Sequence, residues 1–524
     1  MDLRSKSGSV LHRFRSMRPR MIAEGVLVGA AAGSISILYR YMLGKADEWR
    51  SGALAFCAGS WKTMLLWAVV LVVAGLLVAA LTRWEPMISG SGIPQVEAEM
   101  AGYLKPVWWR VILGKLAGGF LCIFGGLSLG REGPSIQLGG MTGKGISRLL
   151  GRFRLEEHFL ITCGASAGLS AAFNAPLAGV MFALEEVHRN FSAVIMLSCM
   201  AASLTADFVS KYIFGLEPVF RFAVEGMIPL ESYAIVIGLG LLCGVLGAFY
   251  NKVLLASQTA YKKLKFLSQR GKILLPFLCA AVLGFTMPQV LGGGHEMIEL
   301  LTDGDLVLSG ILILLAAKFL FSMVSFGSGA PGGIFFPLLV LGAYIGGAYG
   351  TALMEYLGMN PAYYQNLIII AMAALFASIV RAPITGIVLI SEMTGSFSHL
   401  LTLSIASLIS YIVADLLGSA PVYESLTERL LANSNIRTPE AGSRNKTICQ
   451  VVVEAGSEVD GQLIRNLSLP SGLLIVSVQR GGDEIIPKGN TRIHAGDTIA
   501  VMVSEADAAA MSSVLRHMTS MKEG

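Results

Sequence analysis

The sequence predicts an all-α protein that crosses a membrane many times and ends in a small α+β domain. Three observations support this fold class. The chain of 524 residues is 54% apolar and only 14% charged, whereas soluble globular proteins carry about 25% charged residues. Apolar runs recur from Met21 to Leu417 with short polar breaks. After Leu417 the sequence becomes polar and rich in turns. Disordered, collagen-like and disulfide-rich secreted classes are thereby excluded.

The apolar runs have the length of membrane-spanning helices. The hydrocarbon core requires about 20 apolar residues per helix, and Trp61–Leu81, Tyr233–Tyr250 and Leu306–Met323 meet or approach that length. The first run, Met21–Leu43, leads into further spans, so we expect it to be retained rather than cleaved as a signal peptide. The residues before it are strongly basic, which predicts a cytosolic N-terminus by the positive-inside rule. These basic residues are Arg4, Lys6, Arg13, Arg15, Arg18 and Arg20.

Cysteine usage and charge point to no metal, cofactor or nucleic acid. Six of the seven cysteines lie in or beside apolar segments and none forms a CxxC pair, so we interpret them as small core residues. The net charge of +5 is too modest to indicate nucleic-acid binding. The six cysteines are Cys57, Cys122, Cys163, Cys199, Cys243 and Cys279.

The apolar region contains an internal duplication that predicts two halves, at about 21–225 and 226–431. Interrupted helices at matching positions of two halves are typical of transporters whose binding site lies where the halves meet. The alternative is chance, because glycine and alanine are frequent in this chain. The matches are Ala175–Gly179 and Glu185 with Ala382–Gly386 and Glu392 at an offset of 207, and Gly130–Gly139 with Gly333–Gly342 at an offset of 203.

Two glycine-rich breaks supply groups that bind an anion weakly. Ser91 stands in Gly90–Pro94, where glycines let the backbone approach a ligand and the proline can start a helix. A helix N-terminus with a hydroxyl beside it binds anions. In Gly327–Phe335 the amides of Ile334 and Phe335 can line the same site, and binding without a lysine or arginine suits ion conduction. The alternatives are an ordinary capped turn and glycines packed for close helix contact.

Glu132 is a candidate gate. It stands in Gly130–Pro134, just before a predicted helix start in an apolar region, where ionisable residues are functional by default. The amides and the helix dipole that attract a free anion would also hold this carboxylate, so the two compete for one place. Protonation would release Glu132 and couple proton movement to anion movement. The alternative is a surface loop in which Glu132 caps the helix and Arg131 is solvated.

A pair of acids and a GxSxG pattern are further candidates. Glu185 and Glu186 follow an apolar run, and helical spacing places them about 100° apart. One can therefore face inward and pass protons while the other pairs with cations, although solvated charges at the membrane boundary remain the alternative. Gly164–Gly168 matches the nucleophile elbow, but an elbow requires a preceding strand. We therefore predict no enzyme built on Ser166.

Together these segments resemble the CLC family of chloride channels and transporters, over roughly Arg20–Leu431. The resemblance implies the CLC fold, an inverted repeat of tilted and broken helices. It also implies a homodimer in which each subunit has its own anion path. The motifs that carry it are GSGIP (Gly90–Pro94), GREGP (Gly130–Pro134), AAFNAPLAGVMFALEE (Ala171–Glu186), GSGAPGGIFFP (Gly327–Pro337) and PVY (Pro421–Tyr423).

The resemblance also implies roles for individual residues. Glu132 would be the external gate, and Glu186 would be the acid that transfers protons on the cytosolic side. An acid at Glu186 favours a chloride/proton antiporter over a passive voltage- or ligand-gated chloride channel of the same fold, which stays the alternative. Hydroxyl and amide groups would bind the chloride, namely those of Ser91, Tyr423, Ile334 and Phe335.

The region after Leu417 predicts a helix, a linker and a small domain. Tyr423–Leu431 has an amphipathic helical pattern, and residues 432–446 form a polar linker. The β-like runs of the tail are Gln450–Val453, Leu473–Val478 and Thr498–Val503, with turns at Gly481–Asp483 and Gly496–Asp497, and a helical run follows at Glu505–Met518.

The tail, residues 447–524, resembles the C-terminal regulatory domain of TrkA-type potassium-uptake proteins. Arg480, Pro487 and Gly496–Asp497 carry this resemblance. It implies a cytosolic module that responds to a small ligand, and the alternative is a dimerisation module without a ligand. A cation system is suggested by the tail alone, and the chain lacks a carbonyl filter signature such as TVGYG.

The predicted organisation follows from these points. A basic cytosolic N-terminus (1–20) precedes the CLC domain (21–431), the linker (432–446) and the tail (447–524). We expect a multi-pass protein of a prokaryotic cell membrane with both termini in the cytosol. Its predicted partners are chloride, protons, membrane lipid and a second copy of itself.

Overall fold

The computed structural model describes residues 3–188, 193–220, 222, 226–302, 306–434, 446–467, 469–470, 472–480, 483–504, 511, 514–515 and 518–519. The chain forms two compact units, Met1–Leu430 and Leu431–Gly524. The first is helical and the second contains the sheet.

The described residues contain seventeen α-helices, the last of which extends past Leu430. Those of the first half are α1 (Leu3–Cys57), α2 (Trp61–Trp84), α3 (Ile93–Met100), α4 (Trp108–Phe124), α5 (Glu132–Leu149), α6 (Arg154–Phe173), α7 (Pro176–Phe182) and α8 (Ala193–Phe214). Those of the second half are α9 (Tyr233–Lys263), α10 (Gln269–Thr286), α11 (His295–Thr302), α12 (Leu308–Gly327), α13 (Phe335–Leu357), α14 (Tyr364–Val380), α15 (Pro383–Thr394), α16 (Leu400–Leu416) and α17 (Val422–Asn433).

Seven of the described helices are long and apolar enough to cross a membrane. The predicted runs Trp61–Leu81 and Tyr233–Tyr250 fall within α2 and α9, and Leu306–Met323 begins two residues before α12. The first run is part of α1, which already begins at Leu3. Apolar side chains such as Leu65, Val69 and Leu76 of α2 are exposed, as expected for surfaces that face lipid. The amphipathic helix predicted at Tyr423–Leu431 is confirmed as α17.

The predicted duplication is confirmed in the order and detail of the helices. The starts of α3, α5 and α7 recur as those of α11, α13 and α15, at offsets of 202, 203 and 207. The residue two before α7 is Asn174 with a φ of 53°, and the residue two before α15 is Arg381 with a φ of 72°. Left-handed backbone is rare for residues other than glycine, so its recurrence at matching positions argues against a chance match.

The two halves are joined through equivalent residues. Gly130 and Gly333 form an antiparallel bridge, with N–O distances of 2.7 Å and 2.8 Å in the two directions. Because equivalent positions bond each other reciprocally, a local two-fold axis relates the two segments. The N-terminal ends of α5 and α13 therefore meet, which is the inverted repeat that the family resemblance implies.

Helices α1 and α8 pack in parallel through small residues. A Cβ atom on Gly29 would overlap the backbone of Ala202, and one on Gly33 would lie 2.8 Å from Ala206 Cβ. Small residues let helix backbones approach closely inside a membrane. Because residues later in α1 contact residues later in α8, the two helices run in the same direction. Their C-terminal ends therefore lie on the same side of the unit, opposite the N-terminal end of α1.

The sheet unit is a four-stranded antiparallel sheet in the order β1-β4-β2-β3. The strands are β1 (Lys446–Val452), β2 (Leu474–Arg480), β3 (Asp483–Ile485) and β4 (Thr498–Ser504). The three predicted strands are confirmed. The sequence missed β3, because its three residues are mostly polar and are held only by pairing with the end of β2. The predicted linker, 432–446, is too long at both ends, because α17 continues to Asn433 and β1 begins at Lys446. Residues 435–445, the turn glycines 481–482 and most of the predicted helix 505–518 lie outside the described residues.

The cysteines are core residues, as predicted. The six predicted positions are free thiols in the described structure, and all but the half-buried Cys279 are buried. Among the described residues, no group of histidine, cysteine and acidic side chains is placed to hold a metal ion.

Candidate functional site

Three helices begin at the centre of the helical unit without a side chain to cap them. Helix α3 follows Gly92, which has a φ of 98°, and α5 and α13 follow Arg131 and Ile334. In each of these three helices, all of them described, no side chain accepts from the first amides. Uncapped amides and the positive end of the helix dipole attract anions. The glycine-rich breaks thus place unsatisfied donors where the halves meet.

Ser91 lies against the first turn of α5. The residue is 2% exposed, and its hydroxyl makes no hydrogen bond to any described residue. A Cβ atom on Gly133 would overlap the Ser91 hydroxyl and lie 3.0 Å from its carbonyl oxygen. Gly133 is therefore required for this close approach, a role that sequence reasoning missed.

Tyr423 provides a second buried hydroxyl. The residue is fully buried in the first turn of α17, and its hydroxyl has no hydrogen-bond partner among the described residues. Its ring packs edge-on against that of Phe182, with the two ring centroids 6.4 Å apart, and the ring centroids of Phe182 and Phe335 are 6.1 Å apart. Leaving a buried donor unsatisfied costs about 1–3 kcal/mol, so two such hydroxyls beside uncapped amides indicate a site for a ligand that accepts hydrogen bonds.

Ile334 and Phe335 stand at the start of α13, as predicted. Both are buried. The Phe335 ring packs against Phe173 at 5.3 Å and Phe376 at 4.8 Å. An apolar wall of this kind excludes water and strengthens the attraction between amides and a small anion.

Glu132 is the first residue of α5 and is 1% exposed. Its carboxylate faces the backbone amides of Arg131, Glu132 and Phe336, without a hydrogen bond of standard geometry, and lies 3.7 Å from Arg131 Nε. The side chain of Arg131 is only 17% exposed. The surface-loop alternative is therefore wrong. The carboxylate occupies the place, at the joined ends of α5 and α13, where amides would hold an anion.

A small cavity of about 30 Å³ adjoins Glu132. Its polar lining comes from Asp47, Arg131, Glu132 and His295, and the Phe336 ring closes one wall. A cavity of this volume is large enough for a water molecule.

Glu185 and Glu186 have different surroundings. They lie in a π-helical turn, Ala183–His188, that continues α7. Glu186 is 5% exposed and acts electrostatically on the Tyr423 hydroxyl, as Glu132 also does. The prediction that one acid of the pair faces inward therefore fits Glu186.

The prediction that the other acid pairs with cations is wrong. Glu185 accepts hydrogen bonds from the amide and the hydroxyl of Thr385, at 2.9 Å and 2.7 Å, in the first turn of α15. The equivalent Glu392 accepts from the amides of Leu177 and Ala178, at 3.0 Å and 2.8 Å, in the first turn of α7. Each half thus caps a helix of the other half.

Two buried lysines were missed by the sequence reasoning. Lys115 donates to the carbonyls of Ile88 and Gly90, at 2.9 Å and 2.7 Å, just before Ser91. Lys318, at an offset of 203, donates at 2.9 Å and 2.8 Å to the equivalent carbonyls before α11. A single lysine at matching positions of two apolar runs was the signal that could have identified them. They position the loops that lead into α3 and α11.

The GxSxG pattern is a helix contact. Ser166 lies inside α6, and a Cβ atom on Gly164 or Gly168 would overlap the backbone of α5 at Gly139 or Ser135. No strand precedes Ser166 in this fully described part of the chain, so the elbow geometry is excluded.

In the tail, the residues that carry the resemblance hold the domain together. Arg480 forms a bidentate pair with Asp497, with both N–O distances at 2.8 Å. The amide of His494 also donates to Asp497, at 2.8 Å. These contacts, the hydrogen bond from Arg480 first, lower the pKa of Asp497. The pair ties the end of β2 to the start of β4.

Comparisons with known proteins agree with this geometry. Residues 72–415 match the family described as voltage gated chloride channel, and residues 448–516 match the TrkA-C domain. The H(+)/Cl(-) exchange transporter ClcA of Vibrio campbellii is 35% identical over 427 residues, which cover 78% of this chain and 90% of that protein. The ClcA of Vibrio parahaemolyticus is 34% identical over 434 residues, with 80% and 91% covered.

A solved structure is similar over the same region. The X-ray structure of a slow cyanobacterial Cl-/H+ antiporter superposes with a TM-score of 0.76 at 31% identity. The match covers 80% of this chain and 99% of that one.

Proposed function

This chain belongs to the voltage-gated chloride channel family, and from that premise we propose that it exchanges chloride for protons across a membrane. One observation carries the proposal: the buried Glu132 carboxylate lies at the joined, uncapped N-terminal ends of α5 and α13. The relatives named as H+/Cl- exchangers, and the similar antiporter structure, support the same activity.

Chloride would bind beside the start of α13. The hydroxyls of Ser91 and Tyr423 are buried donors without partners among the described residues, and the amides of Ile334 and Phe335 complete the set. Each donor is neutral, so the anion is held without an ion pair and can leave again. Lys115 stabilises this arrangement, because its ammonium group donates hydrogen bonds to two carbonyls of the loop that carries Ser91.

Glu132 would act as the gate. Its carboxylate and chloride carry the same charge and are attracted by the same amides, so binding of one disfavours binding of the other. When Glu132 takes up a proton it becomes neutral and loses this attraction. The anion can then occupy the place, and one protonation is linked to one step of anion movement.

Glu186 would supply protons from the cytosolic side. It is buried and acts electrostatically on the Tyr423 hydroxyl. A passive channel needs no acid there, because only exchange requires protons to reach Glu132 from both sides. The channel remains the alternative outcome of the experiment below.

The setting of the exchange follows from the family. We propose a homodimer in a cell membrane, with lipid around its apolar helices and both termini in the cytosol. The tail would be a cytosolic module that responds to a small ligand.

Proton movement driven by an imposed chloride gradient in proteoliposomes tests the function. We expect uphill proton transport in the wild type, and its loss in both Glu132→Gln and Glu186→Gln while chloride still moves. Glu185→Gln is the matched control, because this neighbouring acid caps α15 and a glutamine oxygen can still accept those hydrogen bonds. Chloride flux without proton movement in the wild type would identify a channel instead.

A further inference from the structure

His295, the first residue of α11, stands between two cavities. On one side is the cavity of about 30 Å³ that contains Glu132. On the other side is a cavity of about 410 Å³ lined by Glu217, Glu299 and Thr302. His295 is the one described residue that lines both. Its imidazole is therefore the titratable group that connects the larger cavity with the gate.

The imidazole is held in place by aromatic packing. Its centroid lies 4.1 Å from that of Phe336 and 6.3 Å from that of Phe220. Phe336 is also the residue whose amide faces the Glu132 carboxylate. The ring is thus positioned from the same turn of α13 that positions the gate.

Both cavities lie on the outer side in the predicted orientation. Asp47, which lines the small cavity, is near the end of α1, and the segment from Glu217 to Phe222 follows the end of α8. The parallel packing of α1 and α8 puts these two ends on one side, opposite the basic N-terminus. The large cavity therefore lies on the same side of the membrane as the small cavity beside Glu132.

The charges around His295 separate anions from protons. Arg131, Arg40 and Lys318 act electrostatically on the ring, and Arg131 lines the small cavity together with Asp47 and Glu132. Cations attract chloride and repel hydronium. Glu299, in the same helix as His295, lines the larger cavity, and a carboxylate has the opposite preference.

We propose that His295 relays protons from the acidic outer cavity to Glu132, so that protons and chloride reach the gate by different routes. The relay rests on the proposed exchange. One ring nitrogen accepts a proton from the outer cavity, and the other releases a proton toward the Glu132 carboxylate, directly or through the small cavity. The ring ends neutral as the other tautomer and resets by rotation about its side-chain bonds, which returns the free nitrogen to the outer cavity before the next proton. Desolvation of the ring, with the charges of Arg131, Arg40 and Lys318, disfavours its protonated form, so the protonated ring is short-lived.

His295→Phe removes both ring nitrogens and keeps an aromatic ring against Phe336. At an external pH of about 7.5 we expect chloride-driven proton transport to slow at least about tenfold, a conservative value for loss of a positioned proton donor. At about pH 5.5 protons are more abundant and reach Glu132 without the relay, so the difference should fall below about threefold. A merely structural defect would not depend on external pH in this way.

Two further variants separate the relay from anion conduction and from general damage. In a Glu132→Gln background the proton step is absent, so adding His295→Phe should change chloride flux by less than about twofold. His399→Phe is the matched control, because His399 is a buried histidine of the same half that lines neither cavity. If His295→Phe does not reach the membrane, His295→Gln replaces it, since an amide cannot pass a proton through.

Each outcome decides a different point. If the wild type moves no protons, the exchange itself is refuted and the relay with it. If wild-type proton transport is intact and His295→Phe matches it at all pH values, the relay alone is refuted. An equal loss of chloride flux in the Glu132→Gln background would show that His295 supports the anion path instead.

Discussion

Gly133→Ala should weaken chloride binding through the Ser91 hydroxyl. The new Cβ atom would overlap that hydroxyl and lie 3.3 Å from Ser91 Cβ, so Ser91 must move away from the start of α5. A hydrogen bond to a charged partner contributes about 1.5–3 kcal/mol. Loss of one such bond corresponds to a chloride Kd about 10- to 150-fold higher, since about 1.4 kcal/mol is a factor of ten. Calorimetric titration of chloride into the purified protein measures this change.

The control for this variant lies on the same helix. A Cβ atom on Gly140 has its nearest neighbour at 3.5 Å, an ordinary contact, so Gly140→Ala should leave the chloride Kd unchanged. Ser91→Ala combined with Gly133→Ala should bind no more weakly than Ser91→Ala alone, because both changes remove one hydroxyl contact. Wild-type affinity in Gly133→Ala, or an equal loss in Gly140→Ala, would refute the argument.

Three further predictions concern stability. Glu185→Ala and Glu392→Ala each uncap a helix of the opposite half, so each should lower the free energy of unfolding by about 0.5–2 kcal/mol. Thermal unfolding in detergent should show a lower midpoint, and the ratio of protons to chloride transported should stay unchanged. Lys115→Met leaves two carbonyls without their donor and should cost about 1–3 kcal/mol in the same assay, and a midpoint equal to that of the wild type would contradict this. In the tail, Arg480 holds the pKa of Asp497 below its usual value. The ion pair therefore stabilises the folded tail at a pH above the unfolded pKa of about 3.9, and this stabilisation is lost as the pH falls through the lower pKa of the folded state. Hydrogen exchange of β4 in the full-length protein should show this acid-induced opening, and Arg480→Met should remove the pH-dependent part.

Much of the fold could be predicted because its signals are local. Apolar length identifies membrane helices, and glycine and proline mark where they break, so α2, α9 and α12 were found directly. The duplication was visible because both halves keep the same turn residues. Strand β3 was missed, since three mostly polar residues carry no pattern and only pairing with β2 makes them a strand.

The pair Glu185 and Glu186 shows where local reasoning fails. Angular spacing predicted different directions for the two side chains, but assumed an α-helix where the structure has a π-helical turn. The partner of Glu185 is Thr385, 200 residues away. No pattern within one segment indicates that a carboxylate caps a helix of the other half.

The sequence alone determined the class of this protein, its halves and the motifs that supply Ser91, Glu132 and Glu186, because these depend on composition and on short spacings. Only the tertiary structure decided which groups meet. The contact of Ser91 with Gly133 and the position of His295 between two cavities arise from segments far apart in the chain. Helix ends attract ions over a few ångströms, and the packing of two antiparallel halves sets which ends come that close.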